Sequence, residues 1–172
     1  MLIDNCASCF APLYGDNPCI HRQRYLAMLE YVISQGIIVE QPDRDDFAWK
    51  PADSFLHEST RYIRISSVGY KHYGWDVMTS VLVHEFGHCS LFAEGIAERS
   101  SWEENLELER KANDRGVNIT PQHLIPKKYQ WHRDFFLKSY SARGWNEVTC
   151  LAEWRAYQET ESDSDFVHDE IE

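Results

Sequence analysis

The segment from Val77 to Phe92, "VMTSVLVHEFGHCSLF", constrains this chain more than any other. Its spacing predicts a helix, with Asp76 as the N-cap and Gly95 closing it after Phe92 or Ala93. On a helical projection Val77, Val81, His84, His88 and Leu91 form one stripe. Met78, Leu82, Glu85 and Phe92 line the next, with Cys89 alongside. A helix apolar on nearly all sides has to be buried, and the domain must be built around it. His84, Glu85 and His88 are buried with it. Taking two imidazoles and a carboxylate out of water is costly unless something pairs them, and a cation does so well.

The spacing of these three residues suits a metal. Histidines at i and i+4 project from one side of a helix, so their ring nitrogens can converge on one ion. Zinc takes neutral imidazole, and a catalytic zinc keeps three protein ligands and a water. Glu85 is a quarter turn from His84, beside such an ion and placed to take a proton from the water. H-E-x-x-H also arises by chance in a chain with eight histidines, so the surroundings must supply the third ligand. "LELERKANDRG" offers Glu109, 21 residues after His88 on a separate expected helix, with Glu107 and Glu104 as rivals. Asn113, one turn beyond Glu109, could hold the far nitrogen of a ligand histidine. Donors to a developing oxyanion are open among His123, Tyr129, His132 and Tyr140.

The rest of the chain reads as one α+β domain, mostly helical, with a small twisted sheet packed on the histidine-bearing helix. Ile20, Tyr25, Met28, Leu29, Val32 and Ile33 mark a helix ended by Gly36. "GIIVE" reads as a strand, "QPDRDDFAWKPADS" as a loop, and "RYIRIS" (61–66) as a strand with Ile63 and Ile65 on one side and Tyr62 and Arg64 on the other. If that second strand is a sheet edge, a peptide could add to it; a buried position is the equally simple reading. "SWEENLELERKANDRGVNI" predicts a helix burying Leu106, Leu108 and Ala112. After Pro121 and Pro126, "KKYQWHRDFFLKSYSARG" and "NEVTCLAEWRAYQET" predict two closing helices. The domain is expected over 1–158, with 1–19 an irregular lead-in.

Charge and cysteines narrow the function classes. Of the net charge of −11, the segment 159–172, "ETESDSDFVHDEIE", carries seven acidic residues and no basic ones. It reads as a mobile acidic tail. An acidic chain is a poor phosphate-backbone binder, which makes nucleic acid an unfavoured partner. The N-terminus lacks the basic region and apolar run of a signal peptide, and no apolar stretch approaches a membrane span. With five cysteines, an odd number, the thiols are expected to be reduced and the location cytoplasmic. Cys6, Cys9, Cys19 and His21 could close a structural Cys₃His zinc site. Their spacing is not a standard pair, and free cysteines in a loose segment are the favoured reading.

The pairing of "VLVHEFGHCSLF" with "ERKANDRG" resembles the ImmA/IrrE family of small soluble zinc metallopeptidases. That family carries H-E-x-G-H on one helix and E-x-x-A-(D/N) on the next. The resemblance spans roughly residues 20–126, in the same order of helix, two strands and active-site helix. It implies a minimal zincin-like fold, His84, His88 and Glu109 as zinc ligands, and Glu85 as catalytic base. It also implies cleavage of a specific protein partner such as a repressor. The chain departs from the pattern at Arg115, often Phe, and Gly116, often Ala. Its stretch to "LIP" at 124–126 is longer than usual, and no helix-turn-helix half is visible. Two further classes stay in view: a catalytically silent zinc scaffold acting by protein–protein binding, and a zinc-free α+β domain.

Overall fold

Gly36 ends the first helix where its apolar pattern runs out. The computed structural model describes residues 19–42, 51–96, 102–141 and 156, of which 102, 103 and 139–141 are described by their backbone alone. The lead-in before Cys19, the helix expected over 146–160 (apart from residue 156) and the acidic tail lie outside the described residues.

Helix α1 (Ile20–Ser34) buries Tyr25, Met28, Leu29 and Val32. Ile20 and Ile33 share its apolar spacing but stand 61% and 51% exposed, so the buried stripe is narrower than the sequence pattern. Gly36, at φ 75°, turns the chain into strand β1 (Ile38–Glu40).

The sheet departs from expectation in two ways. Residues 52–57, "ADSFLH", form strand β2, although the first three of them read from sequence as the end of a loop. This strand joins β3 (Thr60–Ile65) through a two-residue turn in which Glu58 and Ser59 both have positive φ. The strand order is β1-β3-β2, with β1 parallel and β2 antiparallel to β3. The "RYIRIS" strand is therefore central, and the edge reading of it is corrected: both its sides are paired, and among the described residues β2 is an edge. Ile63 and Ile65 are fully buried on the inner face. On the outer face the register sets Asp53 opposite Arg64 and Phe55 opposite Tyr62. Arg64 grips Asp53 through two hydrogen bonds of 2.8 and 2.6 Å, and the two rings stack at 5.0 Å. These directly opposed pairs fix the register, because a slip of one residue would break both.

After a short helix α2 (Tyr70–Tyr73), Gly74 at φ 82° starts α3 (Trp75–Ala93). Gly74 takes the N-cap position expected of Asp76. Asp76 lies inside the first turn, where its carboxylate suits the positive helix end and pairs with Arg24 of α1 at 3.0 Å. The C-terminus closes as anticipated. Gly95, at φ 77°, donates to Phe92 O, and Ile96 donates to Leu91 O while packing beside Leu91, Leu108 and Ala112.

Fourteen of the nineteen residues of α3 are buried, as its composition required. The helix packs against α1, α2, β2, β3, α4 (Trp102–Ile119) and α5 (Tyr129–Ser141). The closest approach is to α4. A Cβ placed on Gly87 would overlap the Ala112 carbonyl oxygen, and one on Gly116 would overlap that of Val83. Three small residues thus let two backbones touch, and that contact brings α4 within reach of the histidines. A 3-10 turn (Gln122–Leu124) and two prolines then lead into α5. Among the described residues, no helix is long and apolar enough to cross a membrane.

Candidate metal centre

Two turns of α3 and one residue of α4 put three ligand-type atoms at one point. His84 Nε2 and His88 Nε2 are 3.1 Å apart. Glu109 sets Oε2 2.9 Å from the first and Oε1 3.4 Å from the second. A tetrahedral ion bound at 2.0–2.1 Å would hold neighbouring donor atoms about 3.3 Å apart. The two imidazole nitrogens lie close to that value, and the Glu109 carboxylate reaches both of them, one oxygen to each. Two imidazole nitrogens facing each other at 3.1 Å cannot both present lone pairs without repulsion, so either one of them carries a proton or a metal ion lies between them. Among the described residues this is the one cluster of three His, Cys, Asp or Glu side chains able to hold a metal ion.

The rivals of Glu109 are elsewhere. Glu107 is 54% exposed at its side chain and pairs with Arg110, and Glu104 is exposed. Two positions along a helix rotate a side chain by more than half a turn, and only Glu109 faces α3.

Asn113 orients the first histidine. Its amide Nδ2 donates to Glu109 O at 2.9 Å, so Oδ1 is the acceptor facing His84 Nδ1 at 3.1 Å. Tyr129 of α5 donates to the same oxygen at 3.1 Å. These bonds direct the His84 Nδ1–H at Asn113 Oδ1 and leave Nε2 facing His88 and Glu109. Burial alone would lower the His84 pKa. Its hydrogen bond to Glu109 and the charges of Glu109 and Glu85 outweigh burial and raise it to about 9. For Glu109 burial works upward, but the hydrogen bonds and charges of the two histidines hold the carboxyl well below the usual range. A metal must displace this proton, so binding is coupled to pH.

Glu85 is 7% exposed, one position round the helix from the ligand stripe. Its Oε2 accepts a 2.6 Å hydrogen bond from the Ser54 hydroxyl of β2. Ser54 lay in the stretch read as loop, and nothing local in the sequence marks it. The triad, Glu85 and Ser54 line a cleft of about 290 Å³, small among ligand pockets. Val81, Phe92, Phe136 and Leu137 give it apolar walls, and residues 51–54 border it along β2.

The strand phase at that border is set by the ladder. Ser66 N–H donates to Pro51 O at 2.9 Å, and the register continues Ala52↔Ile65, Asp53↔Arg64. Because bonded pairs alternate in an antiparallel ladder, Asp53 and Phe55 bond to β3, while the main-chain groups of Ala52, Ser54 and Leu56 point to the other edge.

The expected oxyanion donors fare unequally. His132 is 3% exposed and does not line the cleft; its Nδ1 sits 2.7 Å from Ser80 Oγ, and burial, with a small contribution from Lys128, lowers its pKa to about 3. His123 is exposed on the 3-10 turn, away from the cleft. Both are corrected as candidates on grounds of position. The Tyr140 side chain lies outside the described residues. Tyr129 does line the cleft, with its hydroxyl on Asn113. Sequence reasoning missed Arg133, one helical turn after Tyr129, whose only signal was that spacing. It lines the cleft, bonds Asp114 at 2.7 Å through Nη1, and has a buried Nε without a protein acceptor.

Of the second proposed cluster, Cys6 and Cys9 lie outside the described residues. Cys19 is buried just before α1, and His21 is on its first turn. Cys89, also buried, is a free thiol 3.7 Å from Tyr62 O, and burial pushes its pKa to about 12, an unreactive core thiol. No family model, curated protein or solved structure matches the chain.

Proposed function

We propose that this protein is a zinc-dependent peptidase of the ImmA/IrrE type that cuts a peptide bond in a specific protein partner, such as a regulator or repressor, in the cytoplasm. The observation that carries the reading is the convergence of His84, His88 and Glu109 at one point within ligand distance of one another, with a second buried carboxylate, Glu85, beside them in the same cleft. Two neutral imidazoles and a carboxylate are a donor set that zinc favours and magnesium or calcium does not.

Bound zinc supplies a Lewis acid and brings the pKa of water toward neutrality. The chain's own groups do the rest. Asn113 and Tyr129 hold His84 in its ligand tautomer. Glu85 takes the proton of the attacking water and passes it to the leaving amine. An extended peptide lies along the β2 edge, pairing with the main-chain groups of Ala52, Ser54 and Leu56. Arg133, which lines the cleft one helical turn from Tyr129, places a guanidinium charge near a developing oxyanion.

The test begins with metal analysis of purified protein. One zinc per chain is expected, lost in Glu109→Gln and kept in Glu107→Gln. Glu85→Gln should keep zinc and fold, and lose hydrolysis of a partner trapped on that variant by on the order of 10² or more. A wild-type protein that holds zinc but leaves the trapped partner intact at neutral pH refutes the peptidase reading and favours a silent zinc scaffold.

A further inference from the structure

Glu85 sits at the end of a side chain whose last torsion is soft, so burial on α3 does not by itself fix the plane of its carboxylate. A single polar contact across 31 positions of sequence does. The Ser54 hydroxyl lies 2.6 Å from Glu85 Oε2, the length of a hydrogen bond to a charged acceptor. The carboxylate can only accept, so Ser54 donates. That engages one oxygen and leaves Oε1 as the one available to a proton from the cleft.

The position of the serine in the sheet gives the contact its meaning. Alternation along β2 turns the Ala52 and Ser54 side chains toward α3, and Asp53 and Phe55 to the outer face. The ladder phase directs Ser54's own N–H and C=O to the strand's other edge, along the cleft. One residue therefore touches the proton acceptor with its side chain and presents its main chain where an extended substrate would lie. The strand is held rigidly by the Asp53–Arg64 fork and the Phe55–Tyr62 stack immediately beside it.

We infer that Ser54 is the positioning residue for Glu85, fixing the carboxylate through its hydroxyl from the same strand position that registers the substrate's backbone. The inference rests on the peptidase reading above and deepens it. It makes the geometry of proton transfer depend on the sheet edge and not on α3 alone.

The test uses the zinc-loaded full chain and two small probes, because the partner is not needed. Acetohydroxamate chelates zinc and shares its hydroxyl proton with a neighbouring carboxylate. Azide takes the open metal position and has no proton to share. Ser54→Thr and Ser54→Val are matched in shape and in strand preference and differ in the hydroxyl alone, so both should fold even if Ser54→Ala does not. All three proteins are expected to hold one zinc and bind azide alike. Ser54→Thr should bind acetohydroxamate within about 2-fold of wild type, and Ser54→Val at least about 10-fold more weakly, the loss of one hydrogen bond to a charged group. Equal acetohydroxamate affinity in the Thr and Val variants, with zinc in place, overturns the inference and leaves the metal reading intact. A parallel loss of azide in Ser54→Val also overturns it, because the serine would then be supporting the metal site as a whole. A wild-type chain without zinc removes both readings and is recognised by metal content before any probe is added.

Discussion

Replacing Gly87 by Ala adds one methyl group at the point where α3 and α4 touch. The added carbon would overlap the Ala112 carbonyl oxygen and sit 2.8 Å from the carbonyl carbon and 2.9 Å from Gly116 N. Ordinary carbon contacts begin near 3.5 Å, so the helices must part by at least about 0.7 Å, and the oxygen overlap brings this to the order of 1 Å. Neither obstacle is a side chain that can rotate away. Overpacking of this kind costs about 1–3 kcal/mol, which a domain of this size can survive. The metal site cannot absorb the shift as easily. His84 and His88 ride on α3 and Glu109 on α4, with a spacing of 2.9 to 3.4 Å now set by that contact. Moving the carboxylate away by about 1 Å takes it beyond bonding reach of an ion held at 2.0–2.1 Å by the histidines. Zinc affinity should fall at least about 10²-fold, the upper end of what loss of a supporting group costs. Competition with a chromogenic chelator measures this directly, with circular dichroism to confirm that the helices remain. A folded Gly87→Ala protein that keeps zinc at wild-type affinity would refute the claim that the crossing sets the site.

Two other expectations concern the body of the protein. His132 has its pKa lowered to about 3, against about 6.5 in an unfolded chain. Below pH 6.5 the unfolded state takes a proton that the folded state refuses, so stability falls with falling pH, by about 2 kcal/mol at pH 5. Urea midpoints from pH 7 to 4 should decline less steeply for His132→Gln; parallel slopes would show that another group drives the loss. At the β2–β3 turn, Glu58 and Ser59 hold φ of 46° and 67°, a conformation that suits Asn-Gly far better. The double change should stabilise the protein by about 1 kcal/mol without altering zinc content, and an unchanged denaturation midpoint would count against strain there.

How much of this was legible depended on how local the signal was. The α3 helix could be read because its apolar character extends all round, and β3 because Ile63 and Ile65 alternate with Tyr62 and Arg64. The mostly helical α+β class rests on those elements. The two histidines come together because their spacing is a property of one helix. Glu109 required a second helix, yet its face is decided by Leu108, Ala112 and Gly116, which have to pack on α3. Strand β2 was missed because "ADSFLH" carries no β-branched residue and comes after a run of prolines and aspartates. Its edge position, and with it the central place of β3, is a matter of pairing that no local pattern encodes. Ser54 and Arg133 were missed for the same reason: an ordinary serine and an ordinary arginine acquire meaning only from partners on another element. Asp76 shows the converse error. A good capping residue stood near the helix start, but Gly74 reached the required backbone angles first, and the carboxylate went to Arg24.

Because α3 packs against α1, α2, α4 and α5 and against both long strands, a substitution within it is felt across the domain as well as at the cleft. Ile20, Ile33, Ile38 and Leu56, half-exposed or nearly so, do not line the cleft. Such a molecule has few positions where change is forbidden and many where it is nearly free. Over long divergence its surface can be rewritten while the crossing of two helices is retained. Kinship between such domains would then persist as spacing, three residues between the histidines, a distant glutamate, and small residues where the backbones meet, after overall likeness had gone.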